Sequence, residues 1–176
     1  MGYLRDIAIS IVIYGFFGFV WFGWALEGPK SSWKKYLAIA CGISFLVGLL
    51  GVYFVFVNQN EASALMETTL SNWYYLTVIF EFLLGGIVAY VLYKLNLEDY
   101  IAPWICLIVG LHFFPLAYIF QDLTMLLLAL LLVITSAFTV KRMKFISYKA
   151  SAITGIGAGS TLLLFALFNI LRLILA

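Results

Sequence analysis

Long apolar runs separated by short polar segments extend along this chain. Six of the runs hold about 20 mostly apolar residues, enough for an α-helix rising about 1.5 Å per residue to cross a hydrocarbon core of about 30 Å. They lie near residues 7–26, 37–57, 73–93, 100–120, 124–140 and 151–175. The pattern predicts an all-α integral membrane protein with one domain, residues 1–176, built as a bundle of six transmembrane helices.

Charged and turn-forming residues mark the ends of most of these runs. Residues 27–30, with the sequence EGPK, and residues 141–144, with the sequence KRMK, are clear stops. The break between the fourth and fifth runs is weaker, because it depends on Gln121 and Asp122. A tilted hairpin that stayed helical there would lower the count to five. Six helices are therefore expected, with five as the alternative.

Lysine and arginine are distributed unevenly between the loops. Eight of the ten basic residues lie in the loops that join helices one and two, three and four, and five and six. The two opposite loops contain Glu61, Glu67 and Asp122 but no lysine or arginine. Since basic loops stay in the cytoplasm, both chain termini are predicted to lie outside. Arg5 and Arg172, near the two ends of the chain, are the exceptions.

The composition excludes a soluble fold. Hydrophobic residues make up 65% of the chain and charged residues 10%, whereas a soluble domain carries about 25% charged residues. The exterior is therefore expected to contact a lipid bilayer, and we expect a multi-pass protein of a plasma membrane of bacterial type. The net charge of +2 is too small and too scattered to indicate a nucleic-acid partner.

The loop over residues 58–72 has a pattern of its own. Its apolar positions recur at helical spacing, at Ala62, Leu65, Met66, Thr69 and Leu70. This spacing predicts a short amphipathic helix lying on the outer surface. Its simplest role is to connect two membrane helices, and a lid over an outward-facing cavity is the alternative.

Two ionisable residues fall inside predicted membrane helices. Glu81 lies eight residues into helix three and His112 eight residues before the outer end of helix four, which puts both about 12 Å below the outer surface. Such a residue costs about 2.5–3.5 kcal/mol on the insertion scale, so each is a functional hypothesis. The pair is either a proton-coupled or ligand-binding centre, or a single interhelical hydrogen bond. Pro115 frees the carbonyl of Leu111 and predicts a kink beside His112.

Three further polar residues reach a comparable depth. Tyr14 lies on helix one, and Asn169 and Arg172 lie on helix six. If their faces meet those of Glu81 and His112, the five residues line an outward-facing cavity. For Arg172 the simpler interpretation is a side chain that snorkels to the outer interface.

Small residues on helix six indicate close packing. Ser151, Gly155 and Gly159 repeat every four residues, which is typical of helices that approach closely within a bundle or in a dimer. A homo-oligomer through helix six is one prediction from this pattern. Helix five is almost purely aliphatic from Leu126 to Ile134 and is expected to face lipid.

The residues indicate three classes of function. The first is a small membrane protein that binds or transports a small solute through an outward-facing polar centre at Glu81 and His112. The second is an intramembrane enzyme that uses the same pair as acid and base on a lipid or isoprenoid, and the third is a non-catalytic accessory or scaffold subunit. Catalytic motifs are largely absent, which favours a binding role over an enzyme. No metal or cofactor is expected, since one histidine completes neither a usual zinc site nor a two-faced haem site.

Overall fold

The computed structural model describes residues 3–66, 68–145 and 147–176, so Glu67 of the predicted outer loop lies outside the described residues. The described residues form six long helices and no strand. The helices are α1 (Leu4–Ala25), α2 (Lys34–Val57), α3 (Thr68–Lys94), α4 (Ile101–Ile119), α5 (Thr124–Arg142) and α6 (Ala150–Ile174). All six are long and apolar enough to cross a membrane. The predicted six-helix architecture is confirmed.

The five-helix alternative is wrong because the chain turns sharply between α4 and α5. Gln121 has a φ of 50°, a left-handed conformation that ends a helix. Asp122 then accepts hydrogen bonds from the backbone N–H of Thr124 at 3.0 Å and from its hydroxyl at 2.7 Å. The first of these bonds satisfies a backbone N–H that the first turn of α5 would otherwise leave unpaired. The weakest break in the apolar pattern is thus a well-defined turn.

Helix α1 packs extensively against both α2 and α6. Glycines permit the close approach of α1 and α2. A Cβ atom added to Gly15 would lie 2.4 Å from the backbone nitrogen of Gly48, and one added to Gly51 would lie 2.7 Å from that of Val12. Since real Cβ atoms do not approach so closely, these two glycines allow backbone-to-backbone packing.

The small-residue face of α6 also packs against α1. A Cβ atom on Gly155 would lie 2.4 Å from the carbonyl oxygen of Trp21, and one on Gly159 would lie 3.0 Å from the ring of Phe22. Ser151 is buried on the same helix. Of the two predicted uses of this face, packing within the bundle is the observed one. Helix α1 covers this face, and a homo-oligomer through helix six stays a prediction.

The prediction that helix five faces lipid is wrong for one face of that helix. Leu128, Ala129 and Leu132 of α5 are fully buried, while neighbours such as Leu127 and Leu130 are exposed. The most exposed helix is α3, which packs against α4 and the short turns at its ends. An all-aliphatic sequence has no polar face, so its pattern alone does not distinguish a core face from a lipid face.

The loops gather at two ends of the bundle. At the end with both termini, called the terminus end, Arg172 pairs with Asp122. At the other end, called the basic end, Lys149 forms an ion pair with Glu27, and its backbone N–H donates to the carbonyl of Gly28 at 3.1 Å. The bond from Lys149 holds the pKa of the Glu27 carboxyl below its usual range. The three basic loops thus share one end, as the charge pattern requires, and which side of the membrane it faces stays a prediction.

The loop over 58–72 forms less helix of its own than its spacing predicts. The structure has a 3₁₀ turn at Ala64–Met66, and residues 68–72 belong to α3. Asp6 of α1 holds the loop in place. Its carboxylate accepts hydrogen bonds from the hydroxyl of Ser63 at 2.6 Å and from the backbone N–H of Ala64 at 2.8 Å. The predicted surface helix is therefore wrong, because this tether to α1 and an earlier start of α3 take up its residues.

Candidate functional site

Glu81 of α3 and His112 of α4 face each other. Nε2 of His112 lies 3.4 Å from Oε2 of Glu81, and the side chains are 12% and 14% exposed for His112 and Glu81 respectively. Both lie well inside membrane-spanning helices. The prediction that they share a depth is confirmed, and the structure adds that they share a contact.

The level of the pair follows from the lengths of the two helices. Glu81 is thirteen positions after the first residue of α3, about 20 Å along its axis, whereas His112 is seven positions before the last residue of α4, about 10 Å. Because the two side chains meet, α3 extends beyond α4 at the terminus end. The extra turns of α3 lie beyond the end of α4, between the pair and the terminus end of the bundle.

The imidazole of His112 is incompletely satisfied. The 3.4 Å separation from Glu81 is too long for a strong hydrogen bond. The carbonyl of Val109, one turn earlier, is its other polar neighbour. Neither ring nitrogen makes a well-aligned hydrogen bond with the part of the chain that the structure describes. Buried polar groups in proteins nearly always have partners, so this one has unused capacity to bind another polar group.

A cavity of about 300 Å³, called here the α1–α3 groove, borders the pair. Its back is formed by α4, with His112 and Phe113. Its walls come from α1 and α3 and are mostly apolar, with these residues: Ile9, Ile13, Tyr14, Phe17, Tyr74, Val78, Glu81 and Phe82. Leu65 of the tethered loop lines it at the terminus end.

A second cavity of about 450 Å³ lies on the other side of the contact between α3 and α4. Glu81 and His112 line this cavity as well, together with Phe80, Leu111 and Pro115. The pair therefore separates two spaces. Helix α4 continues unbroken through Pro115, from Ile101 to Ile119.

Tyr14 is placed as predicted, on the wall of the α1–α3 groove. Its ring is buried and packs edge-on against Phe113, with 5.8 Å between ring centroids. The groove thus combines three of the five predicted polar residues, Tyr14, Glu81 and His112. They come from α1, α3 and α4, three helices that converge on one space.

Asn169 and Arg172 lie outside the groove, so the prediction of one cavity lined by all five residues is wrong. Nη1 of Arg172 donates to Oδ2 of Asp122 at 2.6 Å and to Oδ1 of Asn169 at 3.0 Å. Asp122, in the turn between α4 and α5, draws the guanidinium to the terminus end. The arginine therefore has a fixed anionic partner and does not simply snorkel to the interface.

Asp6 is a functional candidate that sequence reasoning missed. It is 7% exposed, lines the α1–α3 groove and anchors the loop that carries Leu65. The sequence places it beside Arg5, where it resembles an ordinary interfacial charge. Its position in the first turn of a membrane helix was the available signal, because a carboxylate near a helix N-terminus often accepts backbone or hydroxyl donors from a neighbouring loop.

The groove combines apolar walls with a small polar centre that has acidic side chains and no lysine or arginine among its described lining residues. Its acidic lining residues are Asp6 and Glu81, beside His112, and no lysine or arginine is among the described residues that line it. Such a lining suits a ligand that is mostly apolar and carries one polar group. Comparison with known protein families, curated proteins and solved structures finds no match for this chain.

Proposed function

We propose that this protein binds or transports a small solute within the membrane, and that the polar group of the solute lies against Glu81 and His112. The observation that carries the proposal is the contact between these two side chains on the wall of a cavity. The proposed setting is a plasma membrane of bacterial type, supported by the clustering of the basic loops at one end.

The energetics of the pair support binding over a purely structural contact. Two ionisable groups at membrane depth are costly in free energy, and an interhelical hydrogen bond contributes only about 0.6 kcal/mol of stability. Here the two groups are 3.4 Å apart and the imidazole nitrogens lack well-aligned partners. A ligand with a polar group would supply the missing hydrogen bonds, which gives the pair a role that packing alone does not.

An intramembrane enzyme is the second candidate, because an imidazole beside a carboxylate is also an acid–base arrangement. That function would show as chemical conversion of the bound molecule with a bell-shaped dependence of rate on pH. Binding without conversion would support the first candidate.

Native mass spectrometry of the purified protein in mild detergent tests the proposal. We expect the wild type to retain a small-molecule adduct and Glu81→Gln and His112→Ala to lose it, while all remain folded by size-exclusion chromatography. Glu61→Gln is the matched control, because Glu61 is an exposed carboxylate in the loop at the terminus end. If the adduct is absent from the wild type, or is retained equally by all variants, the proposal is wrong and an accessory or scaffold role becomes the better explanation.

A further inference from the structure

We propose that the ligand of the α1–α3 groove is an alcohol dissolved in the membrane, an apolar chain with a hydroxyl group that lies between Glu81 and His112. The chain enters from the bilayer through the opening between α1 and α3. This inference rests on the proposed function and names the class of ligand.

The entrance is defined by two exposed aromatic residues. Phe17 on the α1 wall is 41% exposed and Phe82 on the α3 wall is 65% exposed, although both line the groove. Each is near the middle of its membrane-spanning helix, so the opening between them faces hydrocarbon. At the terminus end Leu65 lies against the groove, and the bonds from Ser63 and Ala64 to Asp6 hold its loop there. A molecule therefore reaches the pair more directly from lipid than from water.

The ionisable side chains in the groove select the polar group of the ligand. A phosphate or carboxylate would meet Asp6 and Glu81 without a lysine or arginine among the described lining residues to pair with it. An ammonium group would have to be carried through hydrocarbon, where a charge is expensive. A hydroxyl avoids both penalties, since it is neutral and both donates and accepts hydrogen bonds. It can donate to the carboxylate of Glu81 and accept from the imidazole of His112.

The size and lining of the groove favour an apolar chain for the remainder of the ligand. Its volume of about 300 Å³ is at the small end of the range for ligand pockets, which run from roughly 300 to 1,000 Å³. Apart from Asp6, Ser10, Glu81 and His112, the walls are aliphatic and aromatic, as at Ile13 and Val78. One chain segment fills this space while the remainder stays among the lipid chains.

A photoreactive long-chain alcohol, with a diazirine near its hydroxyl, tests the inference on the full chain in lipid nanodiscs. We expect crosslinks on α1, α3 or α4 beside the groove. An unlabelled alcohol of the same chain length should compete at least ten-fold better than the matching carboxylic acid or primary amine. Glu81→Gln and His112→Ala should reduce labelling at least five-fold.

A pair of neighbouring substitutions separates the groove from general lipid contact. Val78→Trp places a large ring inside the groove and should block labelling, because Val78 is half-buried in its wall. Ile79→Trp is the matched control: Ile79 is 55% exposed and is absent from the lining of both cavities. It should leave labelling unchanged.

Each outcome decides a different statement. Labelling that prefers the acid or amine, or that Val78→Trp does not reduce, overturns the alcohol inference. If a different molecule binds and depends on Glu81 and His112, the proposed function stands without this inference. If no probe and no retained adduct depends on the pair, both are wrong.

Discussion

Arg172 and Asp122 form an ion pair that joins the last turn of α6 to the turn between α4 and α5, with Nη1 2.6 Å from Oδ2. The guanidinium also donates to Asn169, and the carboxylate also accepts from Thr124. A cation at the terminus end departs from the positive-inside pattern. Asp122 at the same end offsets the positive charge of Arg172. The ion pair therefore explains why this arginine lies at the end that has few basic residues.

Replacing Asp122 with Asn should destabilise the bundle by about 1–3 kcal/mol, because it leaves Arg172 partly buried without a counter-charge. The two side chains are 11% and 22% exposed for Asp122 and Arg172 respectively. Thermal unfolding in detergent measures the effect. Gln121→Ala in the same turn is unsuitable as a control because of its left-handed conformation, so Glu61→Gln in the neighbouring loop serves instead. An unchanged midpoint for Asp122→Asn would show that the ion pair contributes nothing.

The same residue predicts a dependence of stability on pH. Burial favours the neutral carboxyl, but the bonds from Thr124 and Arg172 outweigh it and hold the pKa of Asp122 below its ordinary value of 3.8. A lowered pKa in the folded state means that the stabilisation is fully present above about pH 4 and is lost as the pH falls through the folded value. Unfolding midpoints measured from pH 6 to pH 3 should therefore fall further for the wild type than for Asp122→Asn. Parallel curves would contradict this assignment.

Gly155→Ala should destabilise the protein by about 1–3 kcal/mol, because the added Cβ atom would lie 2.4 Å from the carbonyl oxygen of Trp21 and would force α1 and α6 apart. Gly86→Ala is the matched control, since a Cβ atom there meets no atom within 4 Å. Its unfolding midpoint should be unchanged or slightly higher, as alanine favours a helix. Equal effects of the two substitutions would show that α6 does not pack on α1 through this face.

Asp6→Asn and Ser63→Ala should loosen the loop that carries Leu65. Each removes or weakens the hydrogen bond between α1 and this loop, in which the hydroxyl of Ser63 donates to Oδ1 of Asp6 at 2.6 Å. Hydrogen exchange of the backbone amides over residues 61–66 should become several-fold faster in both variants, with Ser10→Ala as a control that alters a bond within α1 only. Exchange at the wild-type rate would mean that the loop is held by other contacts.

Reporter fusions at residues 65 and 145 should map to opposite sides of the membrane. Residue 65 lies at the terminus end and residue 145 at the basic end, in the segment between α5 and α6. The charge distribution predicts that residue 145 is cytoplasmic. A cytoplasmic location of residue 65 would invert the orientation while leaving the fold intact.

The pattern of residues predicted correctly those features that depend only on neighbouring positions in the chain. Helix count, helix position and the shared depth of Glu81 and His112 depend on distances along one helix axis, and these follow from a fixed rise per residue. It failed for Asn169 and Arg172, whose placement depends on Asp122 some fifty positions away, and for α5, whose two faces are equally aliphatic.

The sequence by itself therefore determined the class of protein and the depth of its polar residues, because hydrophobic length and scarce charge constrain any chain in a bilayer. Only the tertiary structure decided which faces meet. It brought Tyr14, Glu81 and His112 to one groove, drew Arg172 to Asp122 and assigned the glycines of α6 to α1. The physical reason is that these choices depend on close packing and on partners distant in the chain, which the pattern of hydrophobicity does not encode.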